Sequence, residues 1–443
     1  MSESIASRDS REAFVLRLTA VAALGLVLRV FVVFWVATQP TSDFWSYYHR
    51  GLNLAQHGRY EPYPGKVDAA YPPLYSILLA AVFRIVPGHT LGAAKLLNCL
   101  FGIGAAVVAA LFARRLWGDG AGLAAAAIFA IFPRYLLMPC LVASENLFSP
   151  LILLLLWLVV EGTRRRTAWG IAAAAGAAVA LAALTRTVAY YMGALWVLGA
   201  LAARKRWKTV VLETALLLAV QHVVMLPWAV RNEIRLGRFT FLNTAGGYGL
   251  FLGNNPHATG YWYDGRADLE KVAPGVLARG DLAVSDASNA AAWRWIRENP
   301  RRAFLLYLKK AAIIVRQTDI IVAFAVSGTK IIPPWPGLDV LPWPHPLKNH
   351  LLGLTRFVEA SAWTITILGA AGCVLLVLRA LRTRALRDVA LALLFPAAIL
   401  YVPALSALIA VNGRYRWPVE DLLVPVAGFA LARIALRLGA PQP

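Results

Sequence analysis

Charged residues are scarce in this chain: only 15% of its 443 residues are Asp, Glu, Lys or Arg, while 59% are hydrophobic. A soluble domain carries about 25% charged residues, so the composition excludes a soluble globular protein. The charges are also unbalanced, with 44 Lys and Arg against 23 Asp and Glu. In a soluble protein such an excess would indicate nucleic-acid binding. Here the basic residues lie in short clusters between apolar runs, which is typical of membrane topology.

Cysteine is also rare. Cys99, Cys140 and Cys373 all lie in apolar stretches, which predicts small core residues and excludes a disulfide framework. The sequence contains neither a CxxC nor an HExxH motif, so no metal site is predicted. The N-terminus lacks the short apolar core and the cleavage site of a removable signal peptide. The first apolar run is therefore expected to stay as an anchor.

Apolar runs long enough to span a bilayer, or nearly so, dominate the chain. They cover 18–37, 91–113, 121–140, 145–160, 168–184, 187–203, 209–230, 356–378, 388–410 and 418–436. Ten spans with both termini inside place the main basic clusters on one side, which the positive-inside rule makes cytoplasmic. The pattern predicts an all-α, polytopic transmembrane helical bundle of about 10–11 spans.

Two apolar segments fit poorly as simple spans. Residues 74–87 are short and flanked by prolines, and residues 303–326 contain Lys309, Lys310 and Arg316. Both are predicted to be helices at the outer interface. If 303–326 spans after all, the count becomes eleven and one loop must re-enter.

The spans divide the sequence into three predicted regions. Residues 1–230 form an N-terminal transmembrane catalytic module with a first outer loop at 38–90. Residues 231–355 form an extracytoplasmic region with the interfacial helix and ordered periplasmic loops, rich in Gly, Asn and Pro. Residues 356–443 form a C-terminal transmembrane module.

Asp43 is the most informative single residue, because it follows the first span directly and stands before Phe44-Trp45-Ser46-Tyr47-Tyr48. A carboxylate at a membrane face is costly without a partner, which favours a functional role as a catalytic base. Glu145 opens the fourth span at its outer end. It either complements the helix dipole or faces the same outer cavity as Asp43. The neighbouring tyrosines are interface anchors or a platform for a sugar.

Several arginines fall on the outer side, against the positive-inside bias. They are Arg134, Arg186, Arg231, Arg235, Arg238, Arg414 and Arg416. The planar guanidinium fork matches phosphate oxygens, so a convergent set predicts a site for a lipid-linked phosphate. The alternative for any single arginine is snorkelling to lipid headgroups.

These residues fall into a series of short motifs at the predicted outer face. The series runs Asp43 with Tyr47-Tyr48, Pro72-Pro73-Leu74-Tyr75, Ser144-Glu145, Leu184-Thr185-Arg186, Leu226-Pro227-Trp228-Ala229-Val230-Arg231-Asn232, Gly253-Asn254-Asn255-Pro256 and Arg414-Tyr415-Arg416-Trp417-Pro418. In this order they resemble the bacterial GT-C glycosyltransferases along nearly the whole chain. The chain is similar to the branch that contains protein O-mannosyltransferases and the lipid A aminoarabinose transferase.

The resemblance implies an inverting, multi-pass enzyme of the cell inner membrane whose active site faces the periplasm or cell exterior. It would move a monosaccharide from a polyprenyl-phosphate donor to a hydroxyl of a glycan, lipid or protein, with no metal, cofactor or nucleic acid. Asp43 would be the general base. Glu145 is predicted to be the second acidic group of the catalytic site. The implied donor-phosphate ligands are Arg186, Arg231, Arg414 and Arg416. The implied cavity residues are Tyr47, Tyr48, Tyr71, Tyr75, Asn254, Asn255 and Tyr415.

One departure from the family pattern is informative. The lipid A branch has an acidic–basic pair before its Pro-Pro, where this chain has Ala70-Tyr71. That difference argues against aminoarabinose transfer and leaves the sugar and acceptor open. Alternative functions are a transporter or flippase of an anionic lipid or sugar phosphate, a non-catalytic scaffold, and a lipid-linked glycan polymerase or ligase. The sequence shows no internal repeat of the kind that many transporters have.

Overall fold

The computed structural model describes residues 2–36, 38–316 and 351–438, and these residues are mostly helical. In chain order the helices are α1 (Ser2–Trp35), α2 (Ser42–His57), α3 (Leu74–Ile85), α4 (Thr90–Trp117), α5 (Asp119–Ile131), α6 (Pro133–Leu137), α7 (Glu145–Thr163), α8 (Trp169–Ala183), α9 (Ala194–Ala202), α10 (Trp207–Leu236), α11 (Gly246–Gly253), α12 (Arg266–Val272), α13 (Asp281–Glu298), α14 (Pro300–Arg316), α15 (Leu351–Thr383), α16 (Leu386–Ser406) and α17 (Trp417–Arg437). Within these ranges the only β-type pairing is an isolated bridge between Tyr261 and Val411.

Apolar runs fold as helices in a bilayer because every backbone polar group must be satisfied within the segment. Six helices (α1, α4, α7, α10, α15 and α16) are long and apolar enough to cross a membrane, and α5 with Pro133–Cys140 is a seventh candidate if it counts as one bent span. The predicted spans 168–184 and 187–203 fall on shorter apolar helices, and 418–436 falls on α17. The all-α polytopic bundle is confirmed, while the count of ten or eleven spans stays a prediction.

The predicted span 121–140 falls on α5 and on Pro133–Cys140, two helical segments that meet at a break at Phe132 and are bent by 54°. The physical reason is Pro133, which has no N–H to donate to the carbonyl four residues earlier. That carbonyl belongs to Phe129, and buried Arg29 of α1 donates to it instead, as well as to Gly25 O at 2.9 Å. The Arg29 guanidinium, which lies inside the first span, therefore caps the end of α5.

Small residues allow the bundle helices to approach closely, as expected inside a membrane. A Cβ on Gly176 of α8 would lie 2.3 Å from the carbonyl oxygen of Leu217 on α10. A Cβ on Gly428 of α17 would lie 2.6 Å from the carbonyl oxygen of Ala121 on α5. The C-terminal helix is thereby packed directly against the N-terminal half of the chain. The three cysteines are free thiols. Cys99 and Cys140 are buried, as predicted for core residues, whereas Cys373 is only half-buried at the edge of the core.

The segments between the spans are ordered where the structure describes them. Helices α11–α13 and the turn at Val276 share a small core with Ala410, which follows α16. Its buried members are Phe251, Leu252, Leu269, Val276, Ala292 and Ala410. Helix α3 covers most of the predicted interfacial segment 74–87, and α14 covers the described part of 303–326. The remainder of that second segment, and residues 327–350 of the predicted 231–355 region, lie outside the described residues. The three predicted regions stay a prediction.

Candidate active site

Asp43 stands in the first turn of α2, where the helix dipole favours a negative charge. The preceding residue, Ser42, has a φ of +52°, in the left-handed region that non-glycine residues rarely adopt. Strained backbone of this kind clusters at functional sites. The chain thus accepts local strain at the point where it presents the Asp43 carboxylate.

Both oxygens of the Asp43 carboxylate have partners. The hydroxyl of Tyr71 donates to Oδ1 at 2.6 Å, and the Arg414 guanidinium forms an ion pair with Oδ2. The Asp43 side chain keeps 26% of its surface exposed, so the site is open. Burial alone would raise the pKa of Asp43, but the charge of Arg414 and the hydrogen bonds from Tyr71 and Arg414 outweigh it and hold that pKa below its usual value. In this state Asp43 is an ionised but weak base.

Glu145, the first residue of α7, lies on the other side of Arg414. Its Oε1 is 3.7 Å from Arg414 Nε and 2.6 Å from Arg186 Nη1. Asp43, Arg414, Glu145 and Arg186 therefore form a row of alternating charges, called here the acid–arginine cluster. Its net charge is zero, because it contains two carboxylates and two guanidiniums. The four residues come from parts of the sequence that only the fold brings together.

Aromatic rings surround the acid–arginine cluster. The ring of Tyr47 meets that of Tyr71 edge-on at 5.1 Å, and the ring of Tyr415 lies 6.0 Å from the Arg186 guanidinium carbon. Burial is the largest cause that raises the pKa of Tyr47, to about 12, and it also raises the pKa of Tyr415. Both phenols therefore stay protonated at neutral pH and can donate hydrogen bonds to a sugar or a phosphate.

A second layer holds Tyr71 in place. Buried Arg50 pairs with both oxygens of Asp68, at 2.7 and 2.6 Å, and its guanidinium carbon lies 4.8 Å from the centre of the Tyr71 ring. Arg231 donates to the backbone oxygens of Asp68 at 2.8 Å and Tyr60 at 3.1 Å. Sequence reasoning missed Arg50. The available signal was its spacing of seven residues from Asp43, which places both on one face of α2.

Arg231 therefore reaches the site only through the loop that carries Tyr71. Arg416, two residues after Arg414, lies in a different environment. It is 2% exposed, its Nε bonds Glu420 at 2.7 Å, and its Nη2 bonds Thr366 at 2.6 Å. It also donates to the carbonyl of Val315 at the end of α14. In the described part of the chain no contact joins Arg416 to the acid–arginine cluster.

Other predicted cavity residues also have structural partners. Tyr75 is fully buried and donates to Asn98 at 2.8 Å, and the hydroxyl of Tyr48 lies 2.6 Å from that of Thr90. The amide of Asn254 donates to the carbonyls of Leu250 and Leu408, and that of Asn255 to Phe251 O and Tyr263 OH. The structure gives these four residues packing contacts away from Asp43, although Tyr75 touches the ring of Tyr47 at 5.6 Å.

Arg134, one of the arginines predicted on the outer side, is buried and paired within the bundle. Its Nη1 lies 3.0 Å from a carboxylate oxygen of both Glu420 and Asp421, and Asp421 accepts a hydrogen bond from Ser149. A buried charge must be paired to be tolerated, and α17 supplies the two acids. Sequence position alone could not show this pairing, since the partners are almost 300 residues apart.

The helical bundle and the acid–arginine cluster define a class: a multi-pass helical membrane protein with a charged site between its helices. A family profile described as dolichyl-phosphate-mannose-protein mannosyltransferase matches residues 70–229. That range contains Tyr71, Glu145 and Arg186 but ends before Arg414 and begins after Asp43. The resemblance to the GT-C superfamily predicted from the sequence is thereby confirmed. A search of curated protein sequences found no match.

Solved structures show the same fold. The archaeal oligosaccharyltransferase AglB from Archaeoglobus fulgidus, in complex with an inhibitory peptide and a dolichol-phosphate, matches with a TM-score of 0.56 and 16% identity, over 97% of this chain and 51% of that one. An Archaeoglobus fulgidus oligosaccharyltransferase tethered to an acceptor peptide matches with a TM-score of 0.57 and 16% identity, over 98% of this chain and 51% of that one. This chain therefore spans about half the length of those proteins. ArnT from Cupriavidus metallidurans gives a weaker score of 0.43 at 17% identity, over 95% and 78%.

Proposed function

We propose that this protein is an inverting membrane glycosyltransferase. It transfers a monosaccharide from a polyprenyl-phosphate donor to an acceptor hydroxyl on the periplasmic or outer side of the inner membrane. The observation that carries the proposal is the acid–arginine cluster, which sets one partly exposed carboxylate, Asp43, beside two guanidiniums. The family match and the shared fold support the same reading.

Asp43 acts as the general base. The acceptor hydroxyl approaches its open side and loses its proton to the carboxylate as its oxygen attacks the anomeric carbon of the sugar. The polyprenyl phosphate leaves from the opposite face, and Arg186 and Arg414 stabilise the negative charge that grows on it. Because a phosphate is a good leaving group once its charge is balanced, positioning and electrostatics supply most of the catalysis.

The burial of Glu145 supports inversion. A retaining transfer needs a second carboxylate that is free to attack the sugar, by analogy with retaining glycosidases. Glu145 is 2% exposed, and its Oε1 is held between Arg186 and Arg414. Its burial keeps it from reaching the anomeric carbon of the sugar, whether or not the arginines are engaged elsewhere, which leaves a single displacement at that carbon as the proposed reaction.

An apolar groove between α1, α3 and α4 is our candidate for the prenyl chain. It has a volume of about 700 Å³, and its lining includes Phe34, Val82, Leu91 and Leu97. Thr90 also lines the groove, and its hydroxyl contacts Tyr48 of α2, the helix that carries Asp43 in its first turn. An apolar tail in this groove would keep the phosphate at the same end of the bundle as the acid–arginine cluster.

The test compares wild type with Asp43→Asn in nanodiscs, each given extracted polyprenyl-phosphate sugars and host membrane extract. Loss of a general base lowers the rate by about 10²–10⁴-fold, so wild type alone should release polyprenyl phosphate and form a glycosylated product. Asp286→Asn is the matched control, because Asp286 also pairs with an arginine, Arg238 at 2.6 Å, but on exposed α13. Equal turnover by Asp43→Asn and wild type would remove Asp43 as the base.

A further inference from the structure

The two arginines of the cluster have unused hydrogen-bonding capacity. The Nε–H groups of Arg414 and Arg186 are both buried without a hydrogen-bond acceptor among the described residues. A buried donor without an acceptor costs about 1–3 kcal/mol. The Nε–H groups of buried Arg29, Arg50 and Arg134 share this state elsewhere among the described residues, so Arg414 is set apart by its ion pair with the partly exposed Asp43. The donors of Arg414 and Arg186 belong to guanidiniums whose other nitrogens contact the carboxylates of Asp43 and Glu145. The site is therefore complete in charge but incomplete in hydrogen bonds.

The carboxylates of Asp43 and Glu145 engage the same guanidiniums that a phosphate would bind. A carboxylate and a phosphate both bind the guanidinium fork through two oxygens, so they compete for the same donors. While Arg414 pairs with Asp43, that carboxylate cannot accept a proton readily, and the arginine cannot fully engage a phosphate. The Arg414 guanidinium can thus pair either with Asp43 or with the donor phosphate, and the reaction needs both of these anions.

We propose that the donor phosphate takes over the guanidiniums of Arg414 and Arg186 from Asp43 and Glu145, so that Asp43 becomes a free base only after the donor has bound. This inference rests on the proposed glycosyltransferase function. Before the donor binds, Asp43 and Glu145 are the anions that pair with the two arginines. The donor therefore binds first, and the acceptor is activated second.

The exchange matches the movement of charge in the reaction. The acceptor O–H bond breaks, its proton goes to the Asp43 carboxylate, and the oxygen forms a bond to the anomeric carbon. The bond from that carbon to the phosphate oxygen breaks, and its electron pair stays on the phosphate, whose charge grows from one to two negative units. One negative charge disappears at Asp43 as one appears on the phosphate, so the total is constant. The arginines then hold the anion that gains charge.

Departure of the product reverses the exchange. When the polyprenyl phosphate leaves, Arg414 returns to Asp43 and again lowers the pKa of that carboxyl. The proton taken from the acceptor is then released to water through the exposed side of Asp43. The same ion pair that restrains the base before the donor binds therefore resets it after the transfer.

A double-mutant cycle tests the exchange, with undecaprenyl phosphate as the probe and the full-length protein in phosphatidylcholine nanodiscs. Asp43→Asn removes the competitor of the phosphate, so the probe should bind about tenfold more tightly, as expected for one charge-assisted contact no longer lost. In an Arg414→Gln background the same change should have no effect. The gain in affinity disappears in the Arg414→Gln background because no guanidinium remains for which Asp43 and the phosphate could compete. Asp286→Asn serves as the control for a remote carboxylate.

Three results would overturn the exchange: unchanged affinity in Asp43→Asn, weaker affinity, or equal tightening with and without Arg414. Equal tightening would show simple repulsion between Asp43 and the phosphate. If Asp43→Asn does not fold, the same cycle with Glu145→Gln and Arg186→Gln decides. Sugar transfer by wild type together with any of these results would reject the exchange and keep the transferase. Neither transfer nor probe binding by wild type would reject both.

Discussion

Arg414 and Arg416 are separated by one residue, and the structure predicts that their loss has different consequences. Arg416 is 2% exposed and paired with Glu420 at 2.7 Å, and it joins the end of α14 to α15 and α17. Removing one partner of a buried ion pair costs about 3–5 kcal/mol, because the other charge stays buried without compensation. Arg416→Gln should therefore lower the thermal stability of the protein strongly. Arg414→Gln leaves Asp43 partly exposed to water and should cost less.

The assay measures two quantities for each variant in nanodiscs: the midpoint of thermal unfolding and the affinity for undecaprenyl phosphate. We expect Arg416→Gln to lose stability and to keep its affinity at temperatures where it is folded. Arg414→Gln should show the reverse, with a modest change of midpoint and weakened binding. A matched variant, Glu420→Gln, should reproduce the instability of Arg416→Gln. The reasoning is refuted if Arg416→Gln melts like wild type and loses the ligand, since Arg416 would then contact the phosphate.

Two further predictions concern the base and the packing. Tyr71→Phe keeps the ring but removes a hydrogen bond that helps to lower the pKa of Asp43, so the acid limb of the pH–rate profile should move to higher pH. Tyr48→Phe is the control. An acid limb that does not move in Tyr71→Phe would argue against the contact between Tyr71 and Asp43. Gly176→Val should cost about 1–3 kcal/mol of stability through overpacking against a backbone carbonyl of α10. Gly170→Val, with nothing within 4 Å of its Cβ, should lower the midpoint of thermal unfolding less. Equal losses of stability in the two variants would contradict the packing argument.

Much of the site could be found from single positions in the sequence. Asp43, Glu145, Arg186 and Arg414 are all charged residues at the predicted outer ends of apolar runs, where an unpaired charge is costly. The free-energy cost of an unpaired charge depends on the residue and on its depth in the membrane. Its position relative to the apolar runs is therefore enough to identify it as a candidate site residue. The partners that neutralise each charge could not be predicted, because they depend on which helix ends meet.

Arg416 and Arg134 show the limit of such reasoning. From the sequence they were equivalent to Arg186 and Arg414, as basic residues on the outer side. The short 3₁₀ turn Gly413–Arg416 sends its two arginines to different neighbours, one to Asp43 and one to Glu420. The local conformation of this turn decides which of the two arginines, two positions apart, reaches the cluster, and no pattern of hydropathy carries that information.

The sequence by itself determined that this is an all-α membrane protein, because 59% hydrophobic residues in long runs leave helices as the way to satisfy the backbone in a bilayer. It also determined that charges at the outer ends of those helices need partners. Only the tertiary structure decided which charges meet: the α2 carboxylate with an arginine 371 positions later, and the α1 arginine with the carbonyl freed by Pro133. Helix packing sets these contacts through close approaches at small residues, which depend on three-dimensional fit rather than on the order of residues along one helix.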